Sequence, residues 1–561
     1  QPQPSDWVAT SEYVAPRSAT EAALTFIVAE VLGLERIGVT DDFFALGGNS
    51  LAAMQVLARI RSMFGKEVGL RSLFSQPTIA ALAEVLEQAQ EADDDDEIGI
   101  PKCDRTQPIP LSLAQERFWF LAQLEGPSAT YNLPIALRLN GQLNVNALEQ
   151  CFAHVVERHE ILRTRYIQSE TGAVQVIQPA ETVPISQIDL SAMSQEAQVE
   201  AVEQHSRQAA QYPFNLSSEP LLQVTLLRLG DRQHILLMTM HHIVSDAWSM
   251  GVLVQEVMAA YPAYCKGIAP SMDPLPVQYA DYSVWQQQQA ATADFEARLD
   301  AWAQQLADAP PLLDLPTDRP RPAVQTFRGG MVEMTLPDEL ARSLKRFGQQ
   351  QQKTLFMTLM GAFVTLMHRY SRQSDVVIGT PIAGRSHADL ETLIGCFINT
   401  LPLRFHIDDA VTFSDLLSQV ESQSLSAFSN QDIPFEKLVE QLSLDRDLSY
   451  LPLCQVMFVL QNAPLEDLEI ADLDWEMLDS HSKTARFDLT LSMQVVCGTL
   501  TGEWEYNSDL FDRATIERLA AQFERLLAAA VTQAKAPIAQ LPILTAAEQQ
   551  FFAAVNQTQL D

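Results

Sequence analysis

A run of acidic residues near position 94 divides this chain into two units. Residues 91–97 read EADDDDE, and Pro101, Pro108 and Pro110 follow shortly after them. Because like charges repel and bury no apolar surface, such a run does not pack into a core. We interpret residues 88–105 as an acidic, proline-containing linker. A small unit, residues 1–87, precedes it, and a much larger unit follows.

Size and composition limit what the two units can do. The chain has 561 residues, 47% of them hydrophobic, which is too long for a single core. The formal net charge of −34 argues against nucleic acid or an anionic membrane as a partner. No apolar run is long enough to span a bilayer, and the first residues show no signal-peptide pattern. The six cysteines are scattered, which favours a cytoplasmic protein without disulfides.

The small unit has apolar residues at helical spacing in three segments. These are residues 21–34, 51–64 and 79–86, so the sequence predicts a helical bundle. Residues 41–51 read DDFFALGGNSL and connect the first two helices. Two glycines free the backbone just before Ser50, which stands where the second helix should begin. Taken alone, Ser50 is a helix cap, but that interpretation leaves the paired glycines and the aromatic pair unexplained.

The DDFFALGGNSL segment resembles the attachment motif of peptidyl carrier proteins, in which a serine carries a 4′-phosphopantetheine arm. The resemblance covers residues 11–87 and implies a small all-α, four-helix carrier bundle with the arm on Ser50. A hydroxyl at a helix N-terminus suits this role, because the helix dipole and free N–H groups accommodate a phosphodiester.

The large unit contains a double histidine after an apolar run. Residues 240–249 read MHHIVSDAWS, between a predicted strand and a predicted helix. Adjacent strand residues point to opposite faces, so we expect one of His241 and His242 to be chemical and the other structural. Asp246 is either the orienting carboxylate of a triad or the cap of the following helix. We expect no metal, because no further ligand stands at a suitable spacing.

Seven segments in order resemble the condensation domains of nonribosomal peptide synthetases. They are residues 112–119, 158–165, 240–249, 279–285, 394–400, 430–436 and 446–449. The resemblance implies two chloramphenicol-acetyltransferase-like α/β lobes in a V, with a tunnel between them. We expect the N-terminal lobe at residues 106–275 and the C-terminal lobe at 276–540. Residues 541–561 look like a linker toward an adenylation domain, and residues 11–17 like the segment that follows one.

The resemblance also implies roles for individual residues. His242 is expected to be the principal catalytic residue and His241 a supporting one, while Asp246 pairs with Arg385. His242 acts either as a base or as a group that positions the amine. Further candidates near the tunnel are Ala247, Trp248, Ser249, Asn399 and Ser283.

Ala247 stands where the family usually has glycine. We expect it in the first helical turn with negative φ, where its methyl group narrows the acceptor side of the tunnel.

The implied reaction is amide formation between a donor acyl or peptidyl thioester on the upstream carrier and the amine of an aminoacyl thioester on a downstream carrier. Residues 243–245 resemble the subtype that accepts an L-configured donor. The implied partners are the downstream carrier, the upstream and downstream adenylation domains and a phosphopantetheinyl transferase. An epimerase and a non-catalytic docking domain of the same fold are the alternatives.

Overall fold

The computed structural model describes residues 13–66, 68–89, 99–170, 172–181, 183–444, 447–461, 473–478, 484–496 and 498–555. For Ser50, Leu51 and Glu125 it describes the backbone only. The acidic run at 91–97, residues 11 and 12, Arg446 of the seventh segment, Cys497 and residues 556–561 lie outside the described residues.

The small unit is a four-helix bundle, as the resemblance to carrier proteins implied. Its helices are α1 (Ala19–Leu32), α2 (Ser50–Phe64), α3 (Leu70–Ser75) and α4 (Ile79–Gln88). Side chains of Ser18, Asn49 and Thr78 accept hydrogen bonds from the first turns of α1, α2 and α4. The short α3 has no such cap, and no periodic apolar pattern long enough to reveal it.

The large unit starts with these elements: β1 (Ile109–Pro110), α5 (Leu113–Glu125), β2 (Asn132–Gly141), α6 (Val145–Arg158), β3 (Thr164–Ser169), β4 (Gly172–Ile177), β5 (Ile185–Asp189), α7 (Gln195–Ala210), β6 (Leu222–Arg228), β7 (Gln233–His241), α8 (Ala247–Cys265) and α9 (Tyr279–Ala290). Single 3-10 turns cover Glu160–Arg163 and His242–Val244.

It continues with α10 (Ala293–Leu306), β8 (Gly329–Thr335), α11 (Asp338–Gln350), α12 (Leu355–Ser371), β9 (Asp375–Ile382), β10 (Asn399–His406), α13 (Phe413–Ser429), α14 (Phe435–Leu442), β11 (Val456–Gln461), β12 (Leu473–Leu478), β13 (Leu489–Val496), β14 (Thr499–Asn507), α15 (Arg513–Thr532) and α16 (Ala546–Val555). Further 3-10 turns cover Ala388–Leu390 and Ile538–Gln540.

Two large mixed sheets form the cores of two lobes. The N-terminal lobe has the strand order β12-β2-β7-β6-β5, and β1-β4-β3 form a small separate sheet. The C-terminal lobe has the order β10-β9-β11-β13-β14-β8. Strand β12 therefore follows β11 of the C-terminal lobe along the chain but pairs antiparallel with β2 of the N-terminal lobe. The V-shaped arrangement of the lobes remains a prediction from the resemblance.

The lobe boundary near residue 275 stays a prediction, and the apolar clusters favour a later one. Tyr279 and Tyr282 of α9 belong to the apolar cluster of the N-terminal lobe, whereas Phe295 and Leu299 of α10 belong to that of the C-terminal lobe. We therefore propose a boundary after α9, rather than near residue 275. The proline-bearing segment that suggested residue 275 leads into α9, which still packs on the first lobe.

Strand β7 carries the double histidine out of the core of the N-terminal lobe. Every residue of this strand except Gln233 is buried, as expected of a strand between two neighbours that is covered on both faces. The strand ends at His241, and the chain turns once before α8 begins at Ala247. Within the described part of the chain, we find no helix with the length and apolarity needed to cross a membrane.

Candidate active site

The two histidines at the end of β7 have different surroundings. His241 Nδ1 accepts a hydrogen bond from the backbone N–H of Ile243 at 3.1 Å, so its ring holds the turn after the strand. His242 Nδ1 has no hydrogen-bond partner among the described residues. The His242 ring instead stacks on Phe118, with ring centres 5.1 Å apart and planes 12° apart. Buried polar atoms without partners are rare and often mark a functional site.

Both imidazoles are held in the neutral form. Burial, followed by the charge of Arg486, lowers the pKa of His241 to about 3. Burial also lowers the pKa of His242 well below its usual value, with Arg486, His241 and Arg117 acting in the same direction. Both rings are only 4% exposed, so neither is protonated near neutral pH. A neutral imidazole can accept a proton, which an imidazolium cannot.

Asp246 caps α8 and also connects to residues far along the chain. Its Oδ1 accepts from the backbone N–H of Ser249 at 2.8 Å, which is an N-cap bond, and its Oδ2 accepts from that of Phe397 at 3.0 Å. Arg385 Nη2 lies 3.4 Å from Asp246 Oδ1, and both side chains are at most 3% exposed. No described contact joins Asp246 to either histidine ring. The geometry therefore favours the structural interpretation of this carboxylate over a triad.

A loop of residues 384–397 wraps around the start of α8. Arg385 Nη1 donates to the carbonyls of Leu390 and Leu393, and its Nη2 donates to Ser249 Oγ at 2.8 Å. The loop can close this tightly because Gly384 has φ +63° and a Cβ there would lie 1.9 Å from Phe397 O. Burial lowers the pKa of Arg385, and Asp246 offsets part of this effect.

Among the other residues of the double-histidine motif, Ala247 is exposed and begins α8 with negative φ, as expected from the sequence. Trp248 is half-buried, and its Nε1 donates to the carbonyl of Glu391 at 2.9 Å. Ser249 is fully buried and exchanges hydrogen bonds with Gly395. Of these three, Ala247 is the most exposed, Trp248 keeps part of its surface accessible, and Ser249 has none.

Two of the tunnel candidates, Ser283 and Asn399, use their polar side-chain atoms in hydrogen bonds within the protein. Ser283 was expected at the tunnel mouth, but it is fully buried, donating to Tyr279 O and accepting from Gln175 Nε2. Its polar character reflects this internal bonding rather than exposure. Asn399 uses its amide nitrogen on the carbonyls of Gln431 and Ile433 and its oxygen on two backbone N–H groups, so it holds the turn before α14.

The carrier unit positions Ser50 at the first residue of α2. Asn49 is the N-cap, because its side chain accepts from the N–H of Ala52 at 3.0 Å. A capping role for Ser50 is therefore not needed. Gly47 has φ +102°, and a Cβ on Gly48 would lie 2.4 Å from the Phe43 ring, which explains the paired glycines. The free N–H groups at the start of α2 fit a phosphodiester on Ser50.

The carrier packs against the C-terminal lobe along α2. Arg59 Nη2 lies 3.2 Å from Glu391 Oε2, and Gln431 Nε2 donates to Met54 Sδ at 3.5 Å. Burial raises the pKa of Glu391, and Arg59 offsets part of the shift. The carbonyl of the same Glu391 receives the Trp248 side chain. The carrier thus contacts the loop that wraps the start of α8.

Comparison with known proteins agrees with this arrangement. A family model described as Condensation domain matches residues 105–552, and one described as Phosphopantetheine attachment site matches residues 22–86. The chain belongs to the condensation-domain family. Its condensation domain follows a carrier region, so two of the features expected from the sequence resemblance are confirmed.

The relatives and solved structures place this condensation domain among nonribosomal peptide synthetases. Malpinin synthetase of Mortierella alpina is 39% identical over 97% of the chain, which spans 7% of that relative. A dimodular nonribosomal peptide synthase of Bacillus subtilis (strain 168) is 38% identical over 95% of the chain, which spans 22% of it. The X-domain from teicoplanin biosynthesis matches with a TM-score of 0.73 and 28% identity, covering 80% of this chain and all of that one.

Sequence reasoning missed two groups that act on His242, Phe118 and Arg486, and the Arg59–Glu391 contact of the carrier. Phe118 lay inside a recognised segment, but nothing in that segment indicated stacking on the histidine. Arg486 lies outside all seven segments and has no local pattern. The Arg59–Glu391 pair joins positions 332 residues apart, so only the folded chain shows it.

Proposed function

We propose that this chain forms an amide bond between an acyl group presented by its own carrier unit and the amine of an aminoacyl thioester on a downstream carrier. The observation that supports this proposal most is the buried, neutral His242, whose Nδ1 has no partner among the described residues. A buried polar atom without a partner is unusual and calls for a functional explanation. The intact Asp246–Arg385 frame beneath it keeps the turn in place.

The reaction requires little from the protein beyond positioning and proton transfer. The amine nitrogen attacks the thioester carbonyl, the C–N bond forms, the C–S bond breaks, and one proton moves from nitrogen to the leaving sulfur. An α-amine has a pKa of about 7.7–8.0, so a usable fraction is neutral at pH 7. His242 accepts the proton or orients the amine, and either role is open to a neutral ring. His241 supports it by fixing the turn.

Ser50 is the residue we propose to hold 4′-phosphopantetheine. When bound, this group supplies the thiol on which the acyl chain is carried as a thioester. The start of α2 contributes backbone N–H groups, and Asn49 keeps the helix capped without using Ser50. Contacts of Arg59 and Met54 with the C-terminal lobe keep α2 alongside the condensation domain.

The proposal extends to partners and substrate class. A downstream carrier brings the acceptor, adenylation domains on either side load the carriers, and a phosphopantetheinyl transferase modifies Ser50. Residues 243–245 support an L-configured donor, and the composition supports a cytoplasmic location without nucleic-acid or membrane partners. We propose no metal for the reaction, because the step needs none.

A docking domain without condensation activity is the second candidate. The structural neighbour in teicoplanin biosynthesis was solved in complex with OxyB, which shows that this fold also serves as a binding partner in that system. The X-domain likeness supports this candidate, while the unpartnered His242 supports catalysis.

One experiment separates the candidates. The protein is loaded on its carrier with an L-aminoacyl group and mixed with aminoacyl-pantetheine thioesters as soluble acceptors, and the products are analysed by mass spectrometry and chiral chromatography. An amide supports the proposal. An inverted donor residue indicates an epimerase, and an unchanged donor indicates a docking domain.

The histidines provide a matched pair of variants for the same assay. His242→Ala should lower the single-turnover rate by about 10²- to 10⁴-fold without unfolding the protein, because it removes the proton-accepting group. His241→Ala should mainly lower thermal stability, because the Ile243 N–H loses its acceptor in a buried site. A wild-type rate in His242→Ala would contradict the assignment.

A further inference from the structure

Arg486 reaches from the C-terminal lobe to the N-terminal lobe close to His242. It stands three residues before β13 and remains half-buried. Its guanidinium lies 5.2 Å from the centre of the Tyr131 ring, and Nη2 is 3.4 Å from the carbonyl of Thr130. Thr130 and Tyr131 lead directly into β2, the strand that pairs with β7. The arginine therefore crosses between the lobes at the histidine end of these strands.

The residues that hold Arg486 also hold His242. The carbonyl of Tyr131 accepts the backbone N–H of His242 at 2.8 Å. The Phe118 ring contacts both Tyr131 and His242. It meets the Tyr131 ring edge to face and stacks on the His242 ring, with ring centres 5.1 Å apart in each pair. The Arg486 charge is thus fixed relative to the imidazole by two shared neighbours rather than by a mobile surface contact.

The charge of Arg117 near His242 is neutralised more fully than that of Arg486. Arg117 on α5 is paired with Glu436 of α14 at 2.8 Å. Arg486 faces Glu505 of β14, but burial, partly offset by Arg486, raises the pKa of that carboxyl to about 7. Glu505 is therefore largely uncharged below neutral pH, where it does not neutralise the arginine.

Two further titratable groups belong to this region, His241, which acts on the His242 ring, and Cys396, which acts on Arg486. His241 stays neutral, as described above. Burial raises the pKa of the Cys396 thiol well above its usual value, so this group is uncharged as well. Burial is the main cause of the lowered pKa of His242, and among the positive charges Arg486 lowers this pKa more than Arg117 does.

We propose that Arg486 is a positioning residue that acts on the reaction through His242, by fixing a positive charge beside the imidazole across the contact between the lobes. This inference rests on the proposed role of His242 in amide formation. A neighbouring cation disfavours the imidazolium, so the ring keeps its proton-accepting form even in mildly acidic solution. No contact between Arg486 and substrate is required.

The direct test follows the His242 ring by NMR in protein labelled with ¹³C-histidine, with His242→Gln used to assign its signal. In the wild-type protein the ring should stay neutral down to about pH 5.5, one unit below the ordinary midpoint. In Arg486→Gln and Arg486→Met the midpoint should rise by at least about one pH unit, because a unit charge about 12 Å away at an effective dielectric constant of about 20 shifts a pKa by roughly that much, and a nearer charge shifts it by more. Arg486→Lys should restore the wild-type behaviour.

The rate of amide formation gives a second readout. The ratio of Arg486→Gln to wild-type single-turnover rates should fall as the pH is lowered toward the NMR midpoint of the variant, because the variant's imidazole is protonated at a higher pH than that of the wild-type protein. A merely structural defect would lower the rate by the same factor at every pH. Arg138→Gln is the matched control, because it removes an equal charge from an exposed pair with Glu476. Arg138 lies six residues along β2 from the partner of His241, or roughly 20 Å.

The outcomes separate this inference from the proposed function. A wild-type His242 that titrates at or above the ordinary midpoint overturns the inference without any variant. A rate ratio that is independent of pH, with an unshifted NMR midpoint, overturns it as well, even when the wild-type protein forms the amide. If the wild-type protein forms no amide while the NMR midpoint shifts as expected, the proposed function fails and the electrostatic coupling stands.

Discussion

The buried pair of Asp246 and Arg385 allows a quantitative test by a double-mutant cycle. Removing one partner of a buried pair typically costs about 3–5 kcal/mol, because it leaves an uncompensated charge. Here the distance is 3.4 Å and each partner has other bonds, so the low end applies. Asp246 retains the N–H groups of Ser249 and Phe397, and Arg385 retains carbonyl acceptors. We expect about 3 kcal/mol of lost stability for Arg385→Met and a similar loss for Asp246→Asn.

The double variant should lose less than the sum of these two. A direct interaction between neighbouring residues typically gives a coupling of about 0.5–3 kcal/mol, and we expect about 2 kcal/mol here. Urea unfolding followed by tryptophan fluorescence reports on the condensation domain, because six of the seven tryptophans follow residue 105. Arg138→Met, which breaks an exposed pair, should change stability by about 1 kcal/mol or less. Additive losses within about 0.5 kcal/mol would refute the direct pairing.

Three other substitutions test the carrier and the start of α8. Ser50→Ala should abolish phosphopantetheine loading by coenzyme A and a transferase, as measured by intact mass. This variant should lose little stability, because Asn49 caps the helix. Asn49→Ala should instead lower the free energy of unfolding by about 1 kcal/mol. Detection of the arm on another residue would contradict the assignment. Ala247→Gly should lower the free energy of unfolding by up to about 1 kcal/mol and raise turnover most with bulky acceptors. Equal rates across acceptor sizes would show that the methyl group does not narrow the site.

Local patterns in the sequence predicted the elements that carry the site. The apolar run before His241, the Asp246 cap and the helix from Ala247 all depend on residues within about one helical turn of each other, so they can be read along the chain. The start of α2 at Ser50 is likewise a local matter.

The orientation of side chains and contacts across the molecule could not be read in this way. Ser283 is polar within a helix, and only the packing of α9 on the N-terminal lobe shows that its hydroxyl faces inward. Arg486 acts near His242 from a distant part of the chain, with no periodic pattern around it. The lobe boundary near residue 275 stays a prediction for a similar reason, because a proline-bearing segment indicates a turn and not which core the next helix joins.

The pairing of β12 with β2 has a consequence for synthesis of the protein on the ribosome. Arg138 on β2 and its partner Glu476 on β12 are 338 positions apart, so the outer edge of β2 has emerged long before its neighbour. At about 5–20 residues per second this interval is roughly 20–70 seconds. During that time the N-terminal lobe exposes an unpaired strand edge, the kind of surface that associates with other chains. A synthetase that combines the N-terminal lobe of one protein with the C-terminal lobe of another would need a β12 that matches β2 of the N-terminal lobe. The reason is that β12 completes the sheet of the N-terminal lobe but lies in the C-terminal part of the chain.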